Sequence, residues 1–271
     1  MQRLEPTTNK SLGQHWLRDE PTLQAICRAA DLQTTDVVLE IGPGLGTLTN
    51  YLVKLSSQVI AVELDEALAR KLADRLQVSN LEIKHQDILR FDFTQLPSKY
   101  KVVANIPYYL TSNLIRILSE TPNPPTMAVL LIQKEVAERL SAKPGNMSIL
   151  AVTAQFYWQV DLGQFVPAEL FTPPPKVDSQ IVILRRRRQL LFDDVDTKQY
   201  FRLVRAGFSQ KRKKLINALS GGLAIKKDET ETMLAMAEIM PIVRAQTLSL
   251  EDWYRLYQAQ ARIPHNSKNM I

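Results

Sequence analysis

The sequence predicts an α/β protein in which a mainly parallel sheet is covered by helices on both faces and followed by a small C-terminal helical domain. Three observations carry that expectation. Between Val37 and Gln133, short apolar, β-branched runs alternate with stretches whose apolar residues recur at helical spacing. Such alternation builds parallel sheets, because each return to the sheet needs a crossover helix. A glycine-rich turn joins the first apolar run to the first helical stretch. After "RRRR" (185–188) the strand patterns stop and only helical ones continue.

The elements follow in order. "VVLEI" (37–41) reads as a strand and "TLTNYLVKL" (47–55) as a helix. "QVIAVEL" (58–64) is a second strand, and "DEALARKLADRL" (65–76) is an amphipathic helix. "LEIKHQDIL", "KVVANI" and "MAVLLIQ" continue the series. "MSILAVTAQFYWQVDL" (147–162) and "KVDSQIVILR" (176–185) read as two further strands, an antiparallel pair at the sheet edge. "DTKQYFRLVRAGF", "KKLINAL", "ETETMLAMAEIM" and "SLEDWYRLYQAQ" read as helices. A boundary near residue 190 therefore separates a first domain (1–190) from a helical second one (191–271).

Composition narrows the function class. The 271 residues are 45% hydrophobic and 23% charged, an ordinary globular balance with ample core. The net charge of +6 favours a polyanionic partner. The single cysteine, Cys27, forbids an internal disulfide and fits a reducing compartment. It sits in a helical run and reads as a small buried hydrophobe rather than a nucleophile. "MQRLEPTTNK" has no apolar stretch, so no secretory signal is expected, and no window has the roughly 18 apolar residues of a membrane span. No metal-ligand spacing stands out.

The chemistry gathers at strand ends. "EIGPGLGT" (40–47) follows a strand and opens a helix, and glycine at 42, 44 and 46 lets the backbone turn sharply and a ligand approach closely. The spacing departs from the dinucleotide fingerprint, since the third glycine comes one residue early and Pro43 stiffens the turn. The next strand ends in Glu63, roughly 20 residues beyond the first glycine, where a carboxylate meets ribose hydroxyls. The alternative for Glu63 is a helix cap, a role Asp65 can fill instead. Asp87, after the third strand, can accept from an exocyclic amine or cap a turn. The fourth strand ends in "NIPYY" (105–109): an amide, a proline and two tyrosines.

The glycine turn, Glu63 and Asp87 at three successive strand ends resemble the cofactor site of class I methyltransferases, Rossmann-like proteins that bind S-adenosylmethionine across the carboxyl ends of the sheet. A narrower resemblance follows. "SLGQHWLRD", "LEIGPGLGTLT", "VELD", "QDIL", "NIPYYLTSNLI", "FTPPPKVDSQIV", "GFSQKRKKLINAL" and "RAQTLSLEDWYRL" occur in the order seen in rRNA adenine N6,N6-dimethyltransferases of the small-ribosomal-subunit type. The match runs from about Lys10 to Leu256. One departure is the turn "PGNMS" (144–148), where the family often carries an aromatic–Gly–basic sequence.

The resemblance implies S-adenosylmethionine-dependent dimethylation of N6 on two adjacent adenosines in the 3′-terminal stem-loop of small-subunit (16S) rRNA, with a part in subunit biogenesis. It implies a cytoplasmic protein that works on the assembling subunit, and a monomer is expected. The first domain would then be the methyltransferase domain, with residues 1–20 as a segment over the site, and the second the rRNA-binding domain. Cofactor contacts carried over are His15, Leu17, Gly42, Gly44, Glu63, Asp87 and Asn105. Catalytic positions are Asn105, Pro107, Tyr108 and Phe171. Adenine N6 is a poor nucleophile because its lone pair is delocalised into the ring. The Asn105 oxygen and a main-chain carbonyl beside Pro107 can accept its N–H bonds and hold it in line. Tyr108 and Phe171 would sandwich the unstacked base; Tyr109 reads at least as well as core packing. Lys10, Arg185, Arg186, Arg187, Arg188, Lys211, Arg212, Lys213 and Lys214 are candidate phosphate contacts. Rivals are a resistance-type methylase of large-subunit rRNA and a non-catalytic assembly factor.

Overall fold

The computed structural model describes residues 14–263. The elements in chain order are β1 (Trp16–Leu17), α1 (Glu20–Ala29), β2 (Val37–Ile41), α2 (Thr49–Leu55), β3 (Gln58–Glu63), α3 (Glu66–Arg75) and β4 (Leu81–His85). Then come β5 (Lys101–Asn105), α4 (Thr111–Glu120), β6 (Met127–Gln133), α5 (Lys134–Leu140), α6 (Ile149–Tyr157), β7 (Trp158–Val166), β8 (Phe171–Thr172) and β9 (Ser179–Arg186). Helices α7 (Thr197–Phe208), α8 (Leu215–Leu223), α9 (Lys227–Met236) and α10 (Leu250–Arg262) complete the described residues. Two compact units result: one runs to Glu138 and resumes over Trp158–Arg186, and the other takes Arg139–Tyr157 and the chain from Arg187.

In the first unit a seven-stranded sheet has the order β4-β3-β2-β5-β6-β9-β7. The pairs β2–β3, β3–β4, β2–β5 and β5–β6 are parallel, while β9 runs antiparallel to both β6 and β7. The central strands read as unbroken apolar runs because both faces are covered; Val102, Val103, Ala104 and Ala128 to Ile132 are wholly buried. The chain winds outward from β2 to β4 and then returns to the other side of β2 as β5. The switch point therefore lies between β2 and β5, where open α/β sheets bind ligands outside their strand ends. A second sheet of two short strands pairs Trp16 with Thr172 and Leu17 with Phe171, tying the N-terminal segment to the loop after β7. Asp19 caps α1 by accepting from the Thr22 N–H at 2.9 Å.

The expected strand over 147–162 is corrected: Ile149–Tyr157 is a helix and only Trp158–Val166 is a strand. "ILAVTAQFY" is apolar on nearly every side, with Ala151, Val152, Ala154, Phe156 and Tyr157 all buried. A continuous apolar run fits a buried strand and a buried helix equally. The Ser148 hydroxyl accepts from the Ala151 N–H at 3.2 Å and starts the helix. The same stretch, residues 139–157, packs with the second unit, so that unit does not begin simply at 191.

The second unit is held by an aromatic core. Phe156 lies 5.0 Å from Tyr200 and 5.3 Å from Phe201 between ring centres, and Phe192 stacks on Tyr254 at 4.1 Å. A capping box between Ser249 and Asp252 opens α10. The atypical 144–148 turn is latched to Gln246, whose carbonyl accepts from the N–H groups of Gly145 and Met147 at 2.9 and 3.0 Å.

Candidate active site

A cavity opens at the switch point of the first unit. Its walls include His15 to Leu17, Glu40, the turn Gly42–Leu45, Glu63, Asp87, Asn105 to Tyr109, and Phe171. Residues predicted from four strand ends, the N-terminal segment and the proline-rich loop are thus brought together. Lys10 lies outside the described residues.

The glycine turn is set by backbone conformation. Gly42, Gly44 and Gly46 have φ of +65°, +53° and +68°, a region that side chains rarely adopt. Among the described residues, a Cβ at Gly42 would meet only the Pro107 ring, at 4.0 Å, which leaves space beside it for a ligand. At Gly44 a Cβ would lie 2.5 Å from the Trp16 ring, so that glycine makes room for an indole.

Glu63 is buried at the end of β3. Its Oε2 accepts from the Gly44 N–H at 3.0 Å and its Oε1 from the Asp65 N–H at 2.9 Å. Each carboxylate oxygen has two lone pairs, so two acceptor positions remain for a diol. Burial pushes this carboxyl above its usual range, opposed by the Asp65 and Gly44 N–H groups. Asp65 caps α3 by accepting from the Ala67 and Leu68 N–H groups, as the sequence allowed. Asp87 caps the turn, its Oδ1 accepting from the Leu89 N–H at 2.9 Å, and the residue lines the cavity, where its Oδ2 has no partner among the described residues.

Asn105 is the last residue of β5, paired with Leu131. Among the described residues no hydrogen bond engages its side-chain amide, although it lines the cavity. Pro107 follows with φ −56° and ψ 135° and opens a 3-10 helix, Tyr108–Leu110. The Pro107 carbonyl accepts from the Leu110 N–H at 3.0 Å, which leaves the Ile106 carbonyl as the acceptor beside Asn105. Tyr108 shares a 2.8 Å hydrogen bond with the Ser179 hydroxyl and stacks on His15 with ring centres 6.1 Å apart. Burial raises its phenol pKa. His15 is fixed in turn: Nδ1–H donates to the Pro173 carbonyl at 2.7 Å.

Phe171 is 3% exposed and packs with Leu17, its cross-strand partner, while also lining the cavity. One expectation changes: Tyr109 is not core packing, being 60% exposed at the cavity.

The basic clusters differ from one another. Arg185 pairs with Asp161. Arg186 donates to the Ser119 carbonyl at 2.9 Å and lies over the Trp158 ring. Arg187 donates from Nε to the Gln155 carbonyl at 3.1 Å. These three arginines therefore have structural work, because side chains along a strand and its exit alternate faces; Arg188 is exposed. Lys211, Arg212, Lys213 and Lys214 are all exposed at the start of α8. Cations there oppose the helix dipole, so they contribute nothing to their own helix.

Sequence reasoning missed Trp16 and Glu40. Glu40 is 1% exposed in the middle of the sheet, and among the described residues its Oε2 has no partner, nor has the buried Trp16 Nε1–H. Burial pushes the Glu40 carboxyl up to about 8, countered by the Thr49 hydroxyl and reinforced by Glu63. The signal was present in "VVLEI", where an acid interrupts an otherwise apolar strand. Both orphaned atoms belong to residues lining the cavity, which fits a polar ligand there.

A mainly parallel sheet with a crevice at its switch point, a positive-φ glycine turn and acidic strand ends defines a Rossmann-like fold of the class I methyltransferase type. The chain belongs to the family described as Ribosomal RNA adenine dimethylase, whose profile matches residues 6–262. It is 42% identical over 251 residues to the Ribosomal RNA small subunit methyltransferase A of Dehalococcoides mccartyi, covering 91% of this chain and 86% of that one. The fold is similar to that of the 23S rRNA methyltransferase ErmE, with a TM-score of 0.74 at 29% identity over 91% of this chain and all of that one. It is equally similar to a dimethyladenosine transferase from Plasmodium falciparum, with a TM-score of 0.75 at 28% identity over 89% and 96% of the two chains.

Proposed function

We propose that this protein dimethylates N6 of adjacent adenosines in the 3′-terminal stem-loop of small-subunit rRNA, using S-adenosylmethionine and acting as a monomer on the assembling subunit. The observation that carries the reading is Asn105: an amide with no described partner, at the switch-point end of β5, beside the stiff Pro107 turn. When bound, the cofactor supplies an electrophilic methyl group on a sulfonium. Glu63 accepts from its ribose hydroxyls with the two lone-pair positions left free by Gly44 and Asp65. Asp87 offers Oδ2 to an exocyclic amine. Gly42 leaves open space for close approach, and Leu17 and His15 close the opposite wall.

Toward the substrate, the Asn105 Oδ1 and the Ile106 carbonyl accept the two N–H bonds of adenine N6. That draws the amine toward tetrahedral geometry and frees its lone pair for in-line attack. The amine proton leaves to solvent after methyl transfer, so no strong base is needed. Tyr108, braced by Ser179 and His15, presents a face to the unstacked base. Lys211 to Lys214 track phosphates, joined by Arg188.

The relative at 42% identity is named for the small subunit, whereas the similar 23S enzyme stands at 29%. This favours the small-subunit substrate. Purified protein is incubated with labelled methyl donor and each unmethylated subunit separately. Label in dimethyladenosine of the small subunit alone supports the reading; label in the large subunit, or none in adenosine, rejects it.

A further inference from the structure

We propose that Tyr109 is a stacking platform for the nucleotide adjacent to the target base, and so a specificity residue distinct from Tyr108. The inference rests on the base-methylating function proposed above. Residues on a 3-10 helix point about 120° apart. On the turn Tyr108–Leu110, Leu110 points into the core at 7% exposure and Tyr108 is braced by Ser179 and His15. Tyr109 is left directed outward, 60% exposed, yet still part of the cavity mouth. Among the described residues neither a hydrogen bond nor a ring contact holds it.

A single exposed aromatic is unremarkable on most surfaces. Its position here is what matters. A base drawn into the cavity leaves its stack, and the base beside it loses a stacking face at the same moment. That bared face lies one nucleotide from the pocket, and Tyr109 lies one residue from Tyr108. An aromatic ring replaces the lost stacking without reading base edges. Tyr109 would thus favour targets whose neighbour is a strongly stacking purine over those with a pyrimidine there.

The test uses the full chain, S-adenosylmethionine and a synthetic RNA hairpin carrying 2-aminopurine beside the target adenosine. Tyr109→Ala is expected to raise KM for the RNA about 5- to 150-fold, the range spanned by one base–aromatic stack. Single-turnover rate at saturating RNA and cofactor affinity should stay near wild type, and Tyr109→Phe should restore KM. Fluorescence of the 2-aminopurine should be quenched on binding wild type and the Phe variant, but less by the Ala variant. Unchanged KM and quenching in the Ala variant would overturn the proposal. So would a Phe variant as weak as Ala, since the hydroxyl would then be the active group. A wild-type protein that binds but does not methylate any RNA adenosine would instead reject the underlying function.

Discussion

Glu63 accepts a 3.0 Å hydrogen bond from the backbone N–H of Gly44, so the acid at the end of β3 braces the glycine turn at the end of β2. The two features that the sequence marks separately for cofactor binding form one unit. Glu63→Gln should therefore weaken cofactor binding in two ways, by losing an acceptor for the diol and by loosening the turn. Isothermal titration should show affinity lowered by about 10- to 100-fold, in line with a lost charge-assisted hydrogen bond.

The glycines should separate by readout. Gly44→Ala forces a Cβ into the Trp16 ring at a φ of +53°, so it should lower stability by about 1–3 kcal/mol, seen as a fall in Tm. Gly42→Ala meets open space apart from the Pro107 ring. It should carry backbone strain without that clash, and lose proportionally more cofactor affinity than Tm.

Much of this was legible in the sequence, and the reasons differ by residue. β2, β3, β5 and β6 declare themselves because strands buried on both faces must be largely apolar, and Asn105 and Glu63 stand out as polar ends to such runs. Helix α6 was hidden because a run apolar on all sides has no period to read. The pairing of Phe171 with Leu17 was hidden, because a motif gives the residue type but not its cross-strand partner. Arg186 looked like one cation among four until Ser119 and Trp158 appeared beside it, contacts 67 and 28 residues away in sequence (186 − 119 and 186 − 158).

The lysines and Arg186 should differ in RNA binding. Lys213→Gln and Lys214→Gln should each reduce the salt dependence of RNA affinity by about 0.7–0.9 in log–log slope, as expected for one lost phosphate contact. Arg186→Gln should leave the slope unchanged and lower Tm instead. Filter binding across a salt series, with thermal melts, distinguishes the two kinds of arginine and lysine.

Glu40 should make stability depend on pH. Its carboxyl is raised from 4.5 to about 8 in the folded chain, so the folded state holds a proton that the unfolded state has released. The resulting stability is fully present below about pH 4.5 and is lost as pH rises toward 8, at about 1.4 kcal/mol per unit in the steepest part. Glu40→Gln should remove that slope. Urea melts at pH 5, 6.5 and 8 should show the stability difference between variant and wild type shifting in the variant's favour as pH rises.

The central claim is that Asn105 grips the amine that is methylated. Single-turnover methylation by Asn105→Ala, with cofactor and RNA saturating, tests it directly. The rate should fall by about 10²–10³-fold, the usual cost of one lost transition-state hydrogen bond, with cofactor affinity little changed. A rate near that of wild type would contradict it.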